Sequence, residues 1–482
     1  MPINAFSNPR LRLEILSAED VRRIHTATLD VIESVGVRFP SKQALDLLEA
    51  HGAQVDRNTQ IAKIPGHIVE AALRLAPPTY TLAARDPALD VPLDGQHSYL
   101  GTDGCGVNVL DAFTNKLRRS CLQDVAEAAR VADYLDAIAF HWVPVSAQDC
   151  PPATRCLHEL LALWNNSTKH VQTESIVGAP AAQAAAEMAA AMAGGRAELG
   201  QRPMLSTVQC TFSPLGQDPG NLEAALVSAQ AGLPVGFMTM VSAVSSGPAT
   251  LAGSLVVGNA EVISGLALIE MACPGAPVFY SAAQTVMDLR NGGYTGGGPE
   301  DYIFGAATNA LADFYNVPLS MGAFATGAKE PGWQAGVDNS LSAAMASFCL
   351  ADMLQGAGLL HGSLVLSYEE LLMDSEIWNI LCAMAKGIEV NDETLALDTI
   401  RAVGPGGNFL AQKHTKKHMR ELWAPTLFDR RPYNEWEQKR DGAKEWARDK
   451  AQWILKNHQP APLDPKLYAE LARIIETMER EA

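Results

Sequence analysis

Polar and aromatic side chains follow a series of short apolar segments in the middle of the chain. These side chains are His141, Trp142, Gln172, Glu174, Gln209, Phe212, Tyr280, Gln284, Phe324, Lys329, Trp333, His361, Ser363, Tyr368, Asn408, Gln412 and His414. Amide, aromatic and imidazole groups predominate, and the paired strand-end carboxylates of a glycosidase are missing. The set is suited to binding a polar or cationic small molecule, with no obvious protein nucleophile.

Metal-ligand patterns in the sequence are weak. His141 is not part of an H-x-H pair, which a metal-dependent amidohydrolase barrel normally shows at the end of its first strand. His414 and His418 have i, i+4 spacing, and Cys150, Cys156 and His158 match no common zinc pattern. We therefore expect no tightly bound metal.

The apolar segments alternate with helical patterns, which predicts an α/β fold. The predicted strands are 137–145, 170–174, 205–211, 235–240, 278–282, 319–323, 359–365 and a short last one at 407–410. Eight apolar strands separated by helices indicate a closed (β/α)8 TIM barrel rather than an open sheet. We assign residues 136–430 to this barrel, residues 1–135 to a helical and β-hairpin addition, and residues 431–482 to a C-terminal helical extension.

Capping residues locate the first helices. Ser17 precedes an acidic first turn, Ser41 begins a second helix, and Pro65 opens a third. Gly296–Glu300, with Pro299 in the first turn, most simply caps the helix that follows the fifth predicted strand.

Composition limits the partners and the compartment. The net charge of −17 argues against nucleic acid or an anionic membrane as the main partner. No basic region precedes an apolar run at the N-terminus, so no signal peptide is expected. The eight cysteines form no CxxC pair, which favours free thiols in a reducing cytoplasm. We expect a cytoplasmic homo-oligomer.

A glycine-rich segment near the end of the predicted barrel carries the most specific pattern. It reads Gly404-Pro405-Gly406-Gly407-Asn408-Phe409-Leu410, followed by His414, Thr415 and Trp423. This order resembles the trimethylamine methyltransferase superfamily. Further similarities are Thr102-Asp103-Gly104, Gly298-Pro299-Glu300, Lys329 with Gln334-Ala335-Gly336, and Asp374-Ser375-Glu376-Ile377.

The resemblance implies a TIM barrel that transfers a methyl group to the corrinoid (cobalamin) of a cognate partner protein. An ordinary segment, residues 326–330, occupies the region in which the founding members carry pyrrolysine. The chain is therefore similar to the non-pyrrolysine branch, whose substrates are quaternary amines such as glycine betaine. One departure from the family pattern is Gly332-Trp333, where an acid is expected, and it leaves the substrate open.

Residue roles follow from the strand ends and the resemblance. We assign the quaternary amine to Tyr99, Asp103, Trp142, Gln209, Phe212, Tyr280, Phe324, Trp333, His361 and Tyr368. We assign contact with the corrin ring to Gly406, Gly407, Asn408 and His414, because a flat macrocycle needs backbone without side chains. No catalytic side chain is required, since a quaternary ammonium leaves as a neutral amine without protonation.

Two alternatives stay open. One is a metal-dependent hydrolase barrel that uses His141, His361 and His414. The other is a betaine-binding barrel without catalysis.

Overall fold

A computed structural model describes residues 2–8, 10–104 and 106–481 of the chain. Its centre is a barrel of eight parallel strands, in which each strand pairs with the next and the last pairs with the first. The barrel strands are β1 (Tyr99–Thr102), β2 (Ile138–Trp142), β3 (His170–Thr173), β4 (Leu205–Phe212), β5 (Val235–Thr239), β6 (Val278–Ala282), β7 (Leu319–Gly322) and β8 (Met353–Ala357). The predicted (β/α)8 TIM barrel is confirmed.

The prediction was wrong about where the barrel begins and ends in the sequence. Strand β1 comes from the segment assigned to the N-terminal addition, so the boundary between 135 and 136 falls between the first two barrel strands. Residues 407–410 form no strand, and β1 closes the barrel against β8 instead. Local apolar patterning could not show this closure, because it joins residues some 250 positions apart.

The predicted seventh strand is also displaced along the chain. Strand β8 ends at Ala357, and the apolar run from Leu359 to Val365 forms a tight turn between two short antiparallel strands, Leu359–Leu360 and Val365–Ser367. The second of these pairs with Asn108–Leu110, which in turn pairs with Leu117–Arg119. This small sheet lies beside the barrel end.

Seventeen α-helices are present in the described ranges. They are α1 (Ala18–Asp30), α2 (Lys42–Ala50), α3 (Gly66–Leu73), α4 (Leu122–Tyr134), α5 (Arg155–Asn166), α6 (Ala179–Ala193), α7 (Arg196–Gln201), α8 (Pro219–Gln230), α9 (Leu251–Ala272), α10 (Pro299–Tyr315), α11 (Trp333–Cys349), α12 (Tyr368–Ala385), α13 (Leu397–Val403), α14 (Lys413–His418), α15 (Tyr433–Lys439), α16 (Ala443–Asn457) and α17 (Pro465–Glu481). Helices α4 to α12 alternate with the strands and cover the barrel.

The predicted N-terminal caps are confirmed. The Ser17 side chain accepts from the backbone N–H of Asp20, and the Asp20 side chain accepts from the backbone N–H of Ser17. Ser41 likewise caps α2. The bonds to Ser17 and Ser41 satisfy backbone donors that the first helical turn leaves unpaired, so polar residues before an apolar stripe locate helix starts.

Short strands complete the parts outside the barrel wall. They are Val37–Arg38, Gln54–Asp56, Ile61–Lys63, Tyr80–Leu82, Val91–Leu93, Gly216–Gln217, Ser242–Ala243 and Thr285–Val286. A π-helical turn, Val31–Val35, and a 3-10 turn, Pro87–Leu89, lie among the N-terminal elements.

Helix α9 is long and apolar enough to cross a membrane by length and composition, yet 78% of its apolar window is buried in the protein. The seven described cysteines are free thiols, and Cys105 lies outside the described residues.

Candidate functional site

A cavity of about 840 Å³ opens at the end of the barrel where the parallel strands finish. Residues at or just after the carboxyl ends of six strands line it: Asp103 and Gly104, Trp142, Met238 and Met240, Ala282 to Gln284, Met321 to Ala323, and Gln355 and Gly356. Loops after β6, β7 and β8 supply the remaining wall. This is the face on which TIM barrels carry their active sites.

Asp103 follows β1 and is held firmly at the cavity wall. Its backbone N–H donates to the carbonyl of Ala357 at 3.1 Å, and its Oδ1 accepts from the N–H of Gly104 at 2.8 Å. Burial raises the pKa of the Asp103 carboxyl to about 6, although hydrogen bonds from Ser363 and Gly104 oppose the shift. A buried carboxylate of this kind gains from a cation placed beside it.

A second carboxyl, Asp301, lines the cavity from the first turn of α10. Its Oδ2 accepts from the N–H of Gly297 at 3.0 Å, and the side chain of Thr285 donates to the same carboxyl. Burial raises the pKa of Asp301 to about 6.

Asp338 supports this wall from α11. Its Oδ2 accepts from the Thr326 hydroxyl at 2.7 Å, and the same carboxyl packs against Gly297 so closely that a Cβ there would lie 2.9 Å from its Cγ. Tyr302 lies between the carboxyls: burial, then the charges of Asp338 and Asp301, raise its pKa. A glycine is needed at 297, where φ is +89°.

Aromatic rings and methionines form the apolar part of the cavity. The wall includes Trp142, Tyr294, Tyr302 and Phe304, together with Met238, Met240 and Met321. The Trp142 ring fits against Gly104, where a Cβ would lie 2.8 Å from the indole nitrogen. Aromatic faces beside carboxylates are the usual environment of a quaternary ammonium ion.

A strained turn after β8 brings His361 to the cavity. His361, Gly362 and Ser363 have φ angles of 59°, 62° and 63° in succession. The N–H of His361 donates to Ala328 and that of Gly362 to Thr326, which ties the turn to the loop after β7. Non-glycine residues rarely occupy this region, and such strain concentrates at binding sites.

Three of the ten residues predicted for substrate binding line the cavity. They are Asp103, Trp142 and His361. Phe212 and Trp333 are instead 64% and 84% exposed, at the end of β4 and the start of α11. Both belong to the same face of the barrel as the cavity, because a strand end and the loop after a strand lie there.

Four further predicted residues face away from the barrel interior. Val208 and Cys210 contact the interior cluster, so Gln209 between them points to the helices. Tyr280 bonds Asn259 on α9 through its hydroxyl at 3.2 Å, Phe324 belongs to the outer core, and Tyr368 packs near the carboxylates of α4. The elements that carry these four residues were predicted, but their side chains do not point into the barrel as expected.

Tyr99 lies at the opposite end of the barrel. It is the first residue of β1, whereas the cavity meets the last residues of the strands. Its side chain joins the interior apolar cluster with Phe140 and Met353.

The residues predicted to meet the corrin lie on a separate exposed segment. Gly406, Gly407 and Asn408 are exposed, His414 is half-buried on α14, and none of the four lines the cavity. The glycines have a local explanation: a Cβ on Gly407 would lie 2.6 Å from the carbonyl oxygen of Val403, and Gly406 has φ +80°. Their role toward a corrin stays a prediction.

The histidines of the hydrolase alternative are not brought together. His141 faces outward and contacts the Ser167 hydroxyl at 2.5 Å, and burial lowers its pKa to about 3. His361 lies at the cavity and His414 on the exposed segment. In the described ranges, no three His, Cys, Asp or Glu side chains are placed to hold a metal ion.

Several cavity residues were not predicted. Asp301, Tyr294 and Tyr302 belong to a glycine-rich loop and to the first turn of α10, which sequence reasoning treated as a helix cap. The cap is confirmed, with Pro299 in the first turn. The sequence signals that could have indicated these cavity residues were a tyrosine, Tyr294, among glycines and two acids, Glu300 and Asp301, after the helix cap.

Similarity to known proteins covers nearly the whole chain. The family described as Trimethylamine methyltransferase (MTTB) matches residues 3–482. The chain belongs to the trimethylamine methyltransferase family. It is 35% identical to a trimethylamine methyltransferase of Desulfitobacterium hafniense (strain DSM 10664 / DCB-2), with 96% of this chain and 94% of the relative covered.

A second relative is named for another substrate. The chain is 33% identical to the glycine betaine methyltransferase of Desulfitobacterium hafniense (strain Y51), over 96% of this chain and 97% of the relative. Among solved structures, the monomethylamine methyltransferase of Methanosarcina barkeri aligns with a TM-score of 0.49 and 12% identity, covering 92% of this chain and 96% of that one. The protein is thus a methyltransferase of this family.

Proposed function

We propose that this protein transfers a methyl group from a quaternary amine, glycine betaine or a related betaine, to the Co(I) of a corrinoid carried by a partner protein. The observation that supports it is the cavity at the barrel mouth, where Asp103 and Asp301 meet the rings of Trp142, Tyr294 and Tyr302. The relative named glycine betaine methyltransferase supports the same substrate class.

The carboxyls and aromatic rings of the cavity attract the substrate through the positive charge of its ammonium group. A quaternary ammonium carries no N–H, so it cannot be held by a donated hydrogen bond and relies on charge and aromatic faces. Asp103 and Asp301 are neutral part of the time near pH 6, and a bound cation lowers their pKa by favouring the ionised form.

Lys329 gives the cavity a site for the other end of a betaine. Its side chain lines the wall and is exposed, and its ammonium donates to the carbonyl of Gly327. A carboxylate of a betaine that entered beside it would replace this backbone contact with an ion pair.

The mouth fits a flat methyl acceptor. One part of its wall consists of residues without bulky side chains: Ala283, Gly293, Gly297, Ala325 and Gly327. Around it, Met240, Leu289 and Trp333 expose 47%, 75% and 84% of their surface. The corrinoid supplies the nucleophile, and the electrons of the broken C–N bond leave with a neutral tertiary amine, so no protein acid is needed.

The test is methyl transfer with purified components. The protein, a reduced corrinoid partner and a panel of betaines should give the visible spectrum of methylated cobalt and one equivalent of the demethylated amine. Trimethylamine is the matched comparison substrate, because it lacks the permanent charge. Binding of a betaine without transfer to a competent partner would favour the non-catalytic alternative, and transfer from trimethylamine alone would overturn the proposed substrate class.

A further inference from the structure

A series of buried polar side chains crosses the barrel interior beneath the cavity. We define the polar column as His170, Ser206, Gln172 and Gln355, which hydrogen bonds join in that order and which are each at most 1% exposed. Gln172 lies on β3 and Gln355 on β8, and β1 and β2 separate these strands in the barrel wall, so the bond between the two amides spans the interior. Gln355 also lines the cavity, which makes it the end of the polar column that a ligand can reach.

A backbone carbonyl fixes the direction of the hydrogen bonds at the other end of the polar column. The Nδ1 atom of His170 lies 2.8 Å from the carbonyl oxygen of Ala83, and a carbonyl can only accept, so Nδ1 carries the ring proton. The ring is fully buried, and burial lowers the pKa of His170 to about 4, so the ring is neutral and its Nε2 has no hydrogen. Nε2 therefore accepts from the hydroxyl of Ser206 at 2.9 Å.

This direction passes through Gln172 to Gln355. Because the Ser206 proton is donated to His170, the Ser206 oxygen accepts from the Nε2 of Gln172 at 3.2 Å. The Oε1 of Gln172 then faces Gln355 at 2.5 Å, and the atom that donates to it is the Nε2 of Gln355. The same nitrogen donates to the hydroxyl oxygen of Ser320, so both amide protons of Gln355 are used inside the barrel. Turning this amide over would place two oxygens in contact, so its orientation is fixed by its partners.

The carbonyl oxygen of Gln355 is the part of the polar column that remains for a ligand. Its Oε1 is buried and has no hydrogen-bond partner among the residues that the structure describes. Since the amide nitrogen is bonded inside the barrel, the end of the amide that is left toward the cavity can only accept. A buried acceptor without a donor costs free energy, and a donor on a bound molecule recovers it.

We propose that Gln355 selects a substrate that carries a hydroxyl group in addition to its quaternary ammonium. A quaternary ammonium has no N–H, so the hydroxyl is the group of such a molecule that can donate to Oε1. A carboxylate only accepts, so the carboxylate of a betaine is directed away from Gln355, toward groups such as Lys329 on the cavity wall. The inference rests on the proposed function for the ammonium group and adds the hydroxyl to it.

Calorimetric titration of the wild type with three matched ligands tests the hydroxyl. γ-Butyrobetaine has the trimethylammonium and carboxylate groups alone. Its β-hydroxy derivative adds a hydrogen-bond donor, and its β-fluoro derivative adds a group of similar size that cannot donate. The β-hydroxy ligand should bind about tenfold more tightly than either of the others, as expected from a hydrogen bond to an otherwise unpaired buried acceptor.

Variants assign this preference to Gln355. Gln355→Met keeps an unbranched side chain of similar length without the amide, so the preference for the β-hydroxy over the β-fluoro ligand should disappear. Ser206→Ala removes the hydroxyl that orients Gln172, and the preference should fall to about threefold because either end of the Gln355 amide can then face the cavity. Gln217→Leu is the matched control and should keep the full preference. The Nε2 of Gln217 donates to the carbonyl of Glu261 and its buried Oε1 has no partner in the described ranges, but Gln217 does not line the cavity.

The outcomes separate this inference from the proposed function. Binding of γ-butyrobetaine with no gain from the β-hydroxyl would overturn the inference and leave recognition of the ammonium intact. Binding of none of the three ligands would overturn both. A preference that persists in a normally folded Gln355→Met would assign the hydroxyl to another group and overturn the inference as well. If Gln355→Met does not fold, the three-ligand comparison on the wild type and on Ser206→Ala decides.

Discussion

The barrel mouth and the exposed segment of residues 388–425 both present apolar side chains to solvent, but they differ in what lies beneath. At the mouth, Asp103 and the turn at His361 are tied to neighbouring strands and loops by backbone hydrogen bonds. Residues 388–425 include no buried residue, and hydrogen bonds such as those from His414 and Lys417 to Glu393 lie within the segment. A rigid wall around polar groups is suited to recognising a small molecule, whereas the exposed segment offers no such wall.

The largest expected effect comes from removing the carboxylate of the mouth. Asp103→Asn keeps the shape and the hydrogen bond from Gly104, but loses the charge that faces the cation. We expect kcat/KM for betaine to fall about 100-fold, close to the ~2–3 kcal/mol of a buried charge-assisted contact. Stopped-flow spectra of the corrinoid measure it.

The matched control lies on the exposed segment of residues 388–425. Asp398→Asn removes a carboxylate whose side chain is 97% exposed and pairs only with Arg401 in the described structure. It should leave kcat/KM unchanged. Equal losses in both variants would mean that net charge, rather than the mouth, controls the reaction.

The pH dependence of binding gives the next largest effect. The pKa values of Asp103 and Asp301 are both raised to about 6, chiefly by burial, and only the ionised form attracts the cation. Betaine affinity should therefore be full above about pH 7 and fall about tenfold per pH unit below 6. Calorimetric titrations check this, and a flat profile in that range would remove the carboxyls from the site.

A smaller effect distinguishes the two ends of a betaine. Lys329→Gln should weaken binding of a carboxylated betaine about fivefold, the value of a partly exposed ion pair of ~1 kcal/mol. Choline has the same trimethylammonium group without the carboxylate, so its affinity should not change. A similar loss for both ligands would show that Lys329 shapes the wall rather than binding a carboxylate.

The smallest effect concerns stability of the barrel wall. Glu370 and Asp374 on α12 share Asn339, whose amide donates to both at 3.0 and 2.7 Å. Burial raises the pKa of Glu370 to about 7 and that of Asp374 well above its usual range. These folded-state values exceed the unfolded ones, so their contribution to stability is full below about pH 4 and is lost as pH rises toward 7.

Glu370→Gln should therefore raise the free energy of unfolding at about pH 8 by ~1 kcal/mol, since it removes a buried charge and keeps the amide contact. Denaturant titrations at about pH 5 and pH 8 measure the difference. The exposed Asp398→Asn should show no such pH-dependent gain. A destabilised Glu370→Gln at both pH values would mean that the pair is ionised and needed.

Local patterns predicted most of the fold. Ser17 and Ser41 located helix starts because their capping bonds are made within a few residues, and Pro299 located another because its fixed φ suits the first helical turn. Strands such as β4 and β6 were placed almost to the residue by their apolar runs. The closure of β1 on β8 was not predicted because it is a long-range pairing. In addition, a turn and a hairpin separate β1 from α4, so the local sequence does not show a strand followed directly by a helix.

The site was harder to predict than the fold. Successive side chains of a strand point to opposite sides, so a shift of one residue decides whether a side chain faces the barrel interior. Gln209 and Tyr280 face away from the cavity for this reason, whereas Trp142 lines it. Asp301 and Tyr294 come to the cavity through a loop whose path depends on packing against Asp338. The Gly404–Leu410 motif identified the family correctly, but its place in the molecule depended on a strand that does not exist.

The central claim is that the mouth recognises the positive charge of its substrate. The most direct measurement compares glycine betaine with 3,3-dimethylbutanoate, which has the same shape with carbon in place of nitrogen. Calorimetry at about pH 7.5 should show betaine binding about 30-fold tighter, as expected from ~2 kcal/mol of desolvated cation–aromatic and charge interaction. Equal affinity of the two ligands would contradict the account.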